Sequence, residues 1–290
     1  VHPIVQAFEQ SGGFLRRRDL LSLGVTDHDI RSHRRQGSLR RVRQGWYLNT
    51  RSGCSDAAVR AVRVGGWLSG FAALESYGVW VPRGYPVEVV VPRHARRLRS
   101  PGDAARLLDE AGTEAPRIRW TAEPVDLTRQ VWRLPPVEAL AGAFRVATRE
   151  DAVIVADSAL HLKLVTSNEV DAVADRLPRE RRHWTDLVDG RAESGGETAV
   201  RLRLMDRGIA FEPQVVVPGV GRLDGKIGPR TFVEVDGFSV HGDRDSFERD
   251  HERGLASVLW IHRVVRMTSR QVFEEWPLCL AAVQAALAVE

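Results

Sequence analysis

The chain has 290 residues, 43% hydrophobic and 28% charged, with a formal net charge of +4. That length predicts two or three domains rather than one core. No apolar run reaches about 18 residues, which predicts no transmembrane helix. The N-terminus lacks the pattern of a secretory signal, and the two cysteines, Cys54 and Cys279, lie far apart without metal-ligand spacing, which fits a reducing cytoplasm rather than a disulfide framework.

In chain order, residues 2–10 predict a short helix with Ile4, Val5 and Phe8 on one side, stopped by Gly12-Gly13. Arg17 to Leu23 predicts a second helix, ended by Gly24. Thr26 is placed to cap a third, Asp27 to Gln36, with Asp27 and Asp29 in its acidic first turn. The stretch SLRRVRQGWYLN then alternates and turns at Gln44-Gly45, a two-stranded wing. Helix, helix, turn, helix, wing is the order of a winged helix-turn-helix. Between Asp29 and Asp56 there is no acid, yet Arg31, Arg34, Arg35, Arg40, Arg41, Arg43 and Arg51 fall there. Such an excess suits a polyanion. A third helix placed in the major groove presents Arg31, Arg34 and Arg35 to double-stranded DNA, and the wing adds Arg40, Arg41 and Arg43. The alternative is a solvated basic face on a structural domain.

The segment GGFLRRRDLLSLGVTDHDIRSHRRQGSLRRVRQGWY resembles the N-terminal domain of AbiEi-type antitoxins of type IV toxin–antitoxin systems. The resemblance implies promoter binding, repression of the protein's own operon and a cognate toxin as a possible partner.

Residues 53–190 predict a mixed α/β connecting region. SDAAVRAVRVG, SGFAALESYGV, PPVEALAGAF and REDAVIVADSALHLKLV have helical spacing; VEVVVP and RIRWT alternate or run apolar as strands do. RLPRERRHWTDLVDGRAESGG is expected to be a charged, poorly packed linker. No P-loop, CxxC pair or nucleophile elbow occurs, and GVGRLDG lacks the spacing and context of a dinucleotide loop.

From residue 191 the order becomes helix (SGGETAVRLRLMDRG), strands (EPQVVVPGVGRLDGKI, RTFVEVD), helix (DRDSFERDHERGLASVL), strand (HRVVRMT) and one closing helix (SRQVFEEWPLCLAAVQAAL). In GRLDGKIGPRTFVEVDG, Asp224 and Lys226 lie two apart on one arm of a predicted hairpin, and Glu234 and Asp236 two apart on the other. Each pair therefore shares a strand face. Lysine occurs only at Lys163 and Lys226, a bias that a GC-rich coding sequence explains. Unlike arginine, a lysine can lose its proton when buried.

Glu197, then Arg222-Leu223-Asp224, Glu234-Val235-Asp236-Gly237, His241-Gly242 and Phe247 to Arg253 resemble the pattern of very-short-patch-repair (Vsr-like) endonucleases, a branch of the PD-(D/E)xK fold. The resemblance implies Mg²⁺ or Mn²⁺ held by Asp224 with Glu234 and Asp236, Glu197 as a ligand or a neighbour of one, and His241 as general base or leaving-group support. The residue readings keep their alternatives. Glu197 follows Ser194 as in a capping box, Asp224-Gly225 could form a turn, and His241 could cap or pack. The motif departs at Asp236, where the family's usual E-x-K pattern has lysine, and Lys226 is the candidate to supply the missing charge.

The expected architecture is an α/β multidomain chain. It comprises a winged helix-turn-helix over 1–52, a mixed α/β region over 53–190 and a restriction-endonuclease-like α/β sheet domain over 191–290. Two functions compete: a DNA endonuclease targeted by a winged helix, and an AbiEi-type repressor whose C-terminal domain binds without cutting. A nuclease toxin acting on RNA remains open as a third.

Overall fold

The computed structural model describes residues 3–110, 115–122, 132–236 and 263–289. By packing, the chain divides into two compact units, Val1–Val146 and Ala147–Glu290.

The first unit starts with α1 (Pro3–Gln10), β1 (Phe14–Arg16), α2 (Arg17–Ser22), α3 (Asp27–Arg35), β2 (Leu39–Arg43) and β3 (Trp46–Asn49). The wing is three-stranded, in the order β1-β3-β2 with antiparallel pairing, rather than the expected two. Strand β1 spans three residues, too short for a period-two pattern to reveal. Phe8, Leu15, Leu20, Val25, Ile30, Leu39 and Tyr47 form the core beneath it. Next come α4 (Asp56–Val64), β4 (Trp67–Ser69), α5 (Gly70–Glu75), β5 (Glu88–Pro92), β6 (Arg117–Thr121) and α6 (Pro136–Phe144). Here β5 lies between β4, antiparallel, and β6, parallel. The Val89–Val91 run is fully buried, as a central strand covered on both faces requires.

The second unit holds α7 (Arg149–His161), α8 (Ser167–Asp175), α9 (Arg179–Arg182), α10 (Gly195–Met205), β7 (Glu212–Val217), β8 (Gly221–Lys226), β9 (Thr231–Asp236), β10 (Arg263–Thr268), α11 (Ser269–Glu274) and α12 (Trp276–Leu287). Its sheet runs β10-β9-β8-β7; β7, β8 and β9 pair antiparallel in sequence, and β10 joins β9 in parallel.

Two expectations change. In the second unit α7 packs on α10 through a buried polar cluster. Asp157 accepts hydrogen bonds from Arg201 at 2.9 Å, Thr198 at 2.8 Å and the Asp189 N–H at 2.6 Å. The supposed linker is packed: Leu177, Thr185 and Ala192 are buried, and Arg201 also donates to the Leu187 carbonyl at 2.8 Å. Its charges misled because they sit on the short helix α9 and its flanking turns, while Leu177, Thr185 and Ala192 face inward. The closing helix is two helices, broken at Glu275, since Pro277 has no N–H to continue α11 and suits the first turn of a new helix. The helix expected at 243–259 lies outside the described residues.

Candidate functional sites

Helix α3 starts in a complete capping box. The Thr26 Oγ1 accepts the Asp29 N–H at 3.2 Å, and the Asp29 carboxylate accepts the Thr26 N–H at 2.9 Å. The Thr26 hydroxyl also donates to that carboxylate, holding it below the usual carboxylate range. Arg17 of α2 forks onto Asp27, Nε to Oδ1 at 2.8 Å and Nη2 to Oδ2, and this hydrogen bonding lowers the Asp27 pKa. Both acids of the helix are therefore engaged locally, and both tie its N-terminus in place.

The opposite outcome holds for its bases. Ile30 is buried in the core, whereas Arg31, Arg34 and Arg35 are exposed and, with His28, line one recess. A second recess is lined by Arg34, Gly37, Leu39, Arg40, Arg41 and Thr50. Arg34 belongs to both, so the helix and the wing present one continuous basic surface. Arg43 departs from this group. It lies beyond a bulge between Arg41 and Arg43, is half-buried, and its guanidinium occupies the space where a Gly65 side chain would be. Burial is the main cause of its lowered pKa.

In the second unit, the predicted hairpin forms from β8 and β9, closed by Ile227 and Gly228 N–H groups on the Thr231 carbonyl at 3.0 and 3.3 Å. Asp224-Gly225 is strand, not turn. A side chain at Gly225 would overlap the Phe211 ring, which occupies that position over the sheet. The β8–β9 register, continued by one residue, sets Asp224 opposite Glu234; the β7–β8 register sets Gln214 opposite Asp224.

Helix α10 brings Glu197 to the same place. Gly196 allows the approach, since a Cβ there would stand 2.8 Å from Val235 Cγ1. Ser194 caps the helix by accepting the Glu197 N–H at 3.2 Å. The Glu197 carboxylate is buried and does not close the capping box on Ser194. It instead accepts the Glu193 N–H at 2.9 Å and the Gln214 side-chain amide at 2.8 Å. Gln214 reaches it from a left-handed backbone, φ 56°, and the sequence reading missed this residue. A polar residue between Pro213 and a Val run was its one sequence signal.

The electrostatics of this cluster are one-sided. Burial raises the Asp224 pKa; the Val235 N–H, at 2.7 Å from its Oδ2, opposes this, and the charges of Glu234, Glu193 and Asp236 push it further up. Burial likewise raises Glu197, with the Asp224 charge adding to it. Among the described residues, Arg266 of β10 pairs with Glu234 at 2.6 Å, and Arg222 pairs with Glu193. Lys226 sits at the end of β8 opposite Phe232 and Glu212, and among the described residues it makes no ion pair. Asp236 is exposed at the end of β9. His241 lies outside the described residues.

Asp224, Glu234 and Asp236 thus come to adjoining strands with Glu197 beside them. Their oxygens suit a hard cation in kind. As placed, Asp224 is engaged by a backbone N–H and Glu234 by Arg266. Among the described residues no three His, Cys, Asp or Glu side chains are grouped to hold a metal ion. Among the described residues the arrangement holds concentrated negative charge without a complete ligand set. Also among the described residues, no helix is long and apolar enough to cross a membrane.

No curated protein matches the chain. A family model described as "Transcriptional regulator, AbiEi antitoxin" matches residues 2–50, the stretch that carries α1 to β3 and the exposed arginines.

Proposed function

We propose that the chain is a transcriptional regulator of AbiEi type that binds double-stranded DNA through α3 and the wing, acting on the promoter of its own operon. The observation that carries this reading is the continuous basic surface from Arg31 to Arg41, centred on Arg34, with both acids of α3 engaged elsewhere. In this reading Arg31 and Arg34 face the major groove, while Arg40 and Arg41 hold phosphates beside it. A cognate toxin is the protein partner that an antitoxin would take. The test is fluorescence anisotropy on the duplex upstream of its own gene, against scrambled DNA. Arg31→Ala/Arg34→Ala binding the upstream duplex as tightly as the wild type would end the reading.

A second reading, a Vsr-like endonuclease domain with a restriction-endonuclease-like fold, is favoured by the crowding of charge around Asp224. Mg²⁺ or Mn²⁺ held by Asp224, Glu234 and Asp236 would relieve that repulsion, and Glu234 would have to exchange Arg266 for the metal. In this reading the bound metal supplies an activated water and charge for the phosphate. Glu197, fixed by Glu193 and Gln214, orients the acidic arm, and Lys226 is the nearby cation for the scissile phosphate. Incubating supercoiled DNA with the protein, with and without Mg²⁺ or Mn²⁺, decides it. Nicking that survives Asp224→Ala would point to a contaminant.

A further inference from the structure

Helix α4 ends at Val64, and Gly65 follows in a left-handed conformation, φ 101°. The missing side chain leaves a notch filled by the Arg43 guanidinium. A second arginine arrives from the loop after β5: the Arg99 N–H donates to the Val64 carbonyl at 3.2 Å. A third, Arg63, lies in the last turn of α4 and donates to the Pro101 and Gly102 carbonyls at 3.0 and 2.9 Å, which pins that loop. Arg99 Nη1 takes only the Ala105 carbonyl, at 3.2 Å.

Among the described residues, no carboxylate pairs with Arg43, Arg63 or Arg99. The carbonyl end of α4 offers about half a negative charge, against these three cations. Arg43 carries the greatest burden: burial disfavours its charged form, and the like charge of Arg99 adds to that. Withdrawing a cation from water without a counter-charge is costly. The same loop shows exposed Arg93, Arg96 and Arg97, also without acidic partners among the described residues. The loop is nevertheless well tied, through Arg93 N–H to Thr121 at 2.7 Å, Ser100 N–H to Arg106 at 3.0 Å and Leu108 N–H to Leu98 at 3.0 Å. It is a held loop whose cations face no anion among the described residues.

We infer that the Arg43 guanidinium seated at Gly65, together with Arg99 beside the end of α4, forms a cationic pair that takes a backbone phosphate of the duplex bound by α3 and the wing. This rests on the DNA-binding reading above. Continuity along β2 selects the duplex over a free ion: Arg40 and Arg41 are exposed on the same strand, which Arg43 ends just past the bulge. A phosphate strand followed by Arg41 therefore passes this pair, and the exposed arginines of the loop extend the footprint past the wing.

The experiment is a salt titration of duplex binding by the full chain, with a labelled random-sequence duplex, since a phosphate contact is read in any sequence. Each phosphate contact adds about 0.9 to the slope of log K against log salt. Arg99→Ala is expected to lower the slope by about 1 and to weaken binding equally on the upstream duplex, with Arg99→Lys restoring most of it. Arg99 is only half-buried and Gly65 stays intact, so the variant should keep the wild-type circular dichroism and melting; a parallel Arg43→Gln variant checks the other member of the pair. An unchanged slope in Arg99→Ala, with Arg31→Ala/Arg34→Ala weakened, overturns the site and leaves the winged-helix reading standing. If Arg31→Ala/Arg34→Ala is itself unaffected, the underlying reading fails first. Thermal melting in inorganic phosphate against chloride at equal ionic strength separates the sources. Stabilisation by phosphate that Arg99→Ala removes, together with an unchanged duplex slope, assigns the pair to free phosphate and overturns the duplex assignment.

Discussion

Asp157 of α7 and Arg201 of α10 form a buried ion pair at 2.9 Å, 1% and 10% exposed at the side chain. Their bond joins a helix of the middle sequence to the one that carries Glu197. Removing one partner of a buried pair leaves the other uncompensated, at about 3–5 kcal/mol. Asp157→Ala is expected to lose stability on that scale in urea unfolding. A loss below about 1 kcal/mol would mean that Arg201 finds another partner.

The same residue sets a pH dependence. Burial raises the Asp157 pKa from 3.8 to about 6, against the pull of Arg201, the Asp189 N–H and the Thr198 hydroxyl. A carboxyl raised in the folded state favours folding below its unfolded pKa and loses that contribution as pH rises to its folded value. Stability should therefore fall on the order of 2–3 kcal/mol between about pH 4 and pH 6 from this group. Asp224 and Glu197, also raised, act in the same direction. Unfolding free energies measured across that range in wild type and Asp157→Asn check it, and the variant's profile should be flatter.

At the acidic hairpin, Asp224→Asn keeps an oxygen for the Val235 N–H and removes a charge that Glu197, Glu234, Glu193 and Asp236 oppose. The melting temperature is expected to rise, by an amount equivalent to no more than about 1 kcal/mol for so accessible a group. Any metal-dependent nicking should disappear at the same time. Opposite signs for stability and function are what a site under electrostatic strain shows.

Gly225→Val adds a side chain where the Phe211 ring lies. Displacing that ring should cost about 1–3 kcal/mol as overpacking, read by thermal melting. Phe211→Ala in the same background should recover part of the loss.

On the DNA surface, Arg40→Ala/Arg41→Ala should lower the salt slope by about 2 and weaken upstream and scrambled duplexes alike, whereas Arg31→Ala/Arg34→Ala should also narrow the difference between them. Equal effects from both variants would remove the distinction between phosphate and base contacts.

Much of the scaffold was legible because its signals are local. Thr26 and Ser194 name their helix starts, Gly208 ends α10 at φ 72°, and the β8–β9 hairpin follows from alternation. Helix α8 had the same kind of signal, a Thr166–Glu169 capping box, just before the expected linker, where no element was read. The Pro277 break in the last helix was also written locally. What stayed hidden depends on residues far apart in the chain. Nothing near Asp157 announces Arg201, nothing near Gly225 announces Phe211's ring as its neighbour, and nothing in RRVR separates Arg43 from Arg40 and Arg41.

By itself the sequence determined the winged helix, the exposed arginines of α3 and the acids of the hairpin, because capping, alternation and local charge act over a few residues. Only the tertiary structure decided how those charges are used. It engaged Asp27 and Asp29 within the chain, turned Arg43 into the notch at Gly65, and set Arg266 against Glu234. Electrostatic partnership depends on distance and burial, and both are set by which elements pack together.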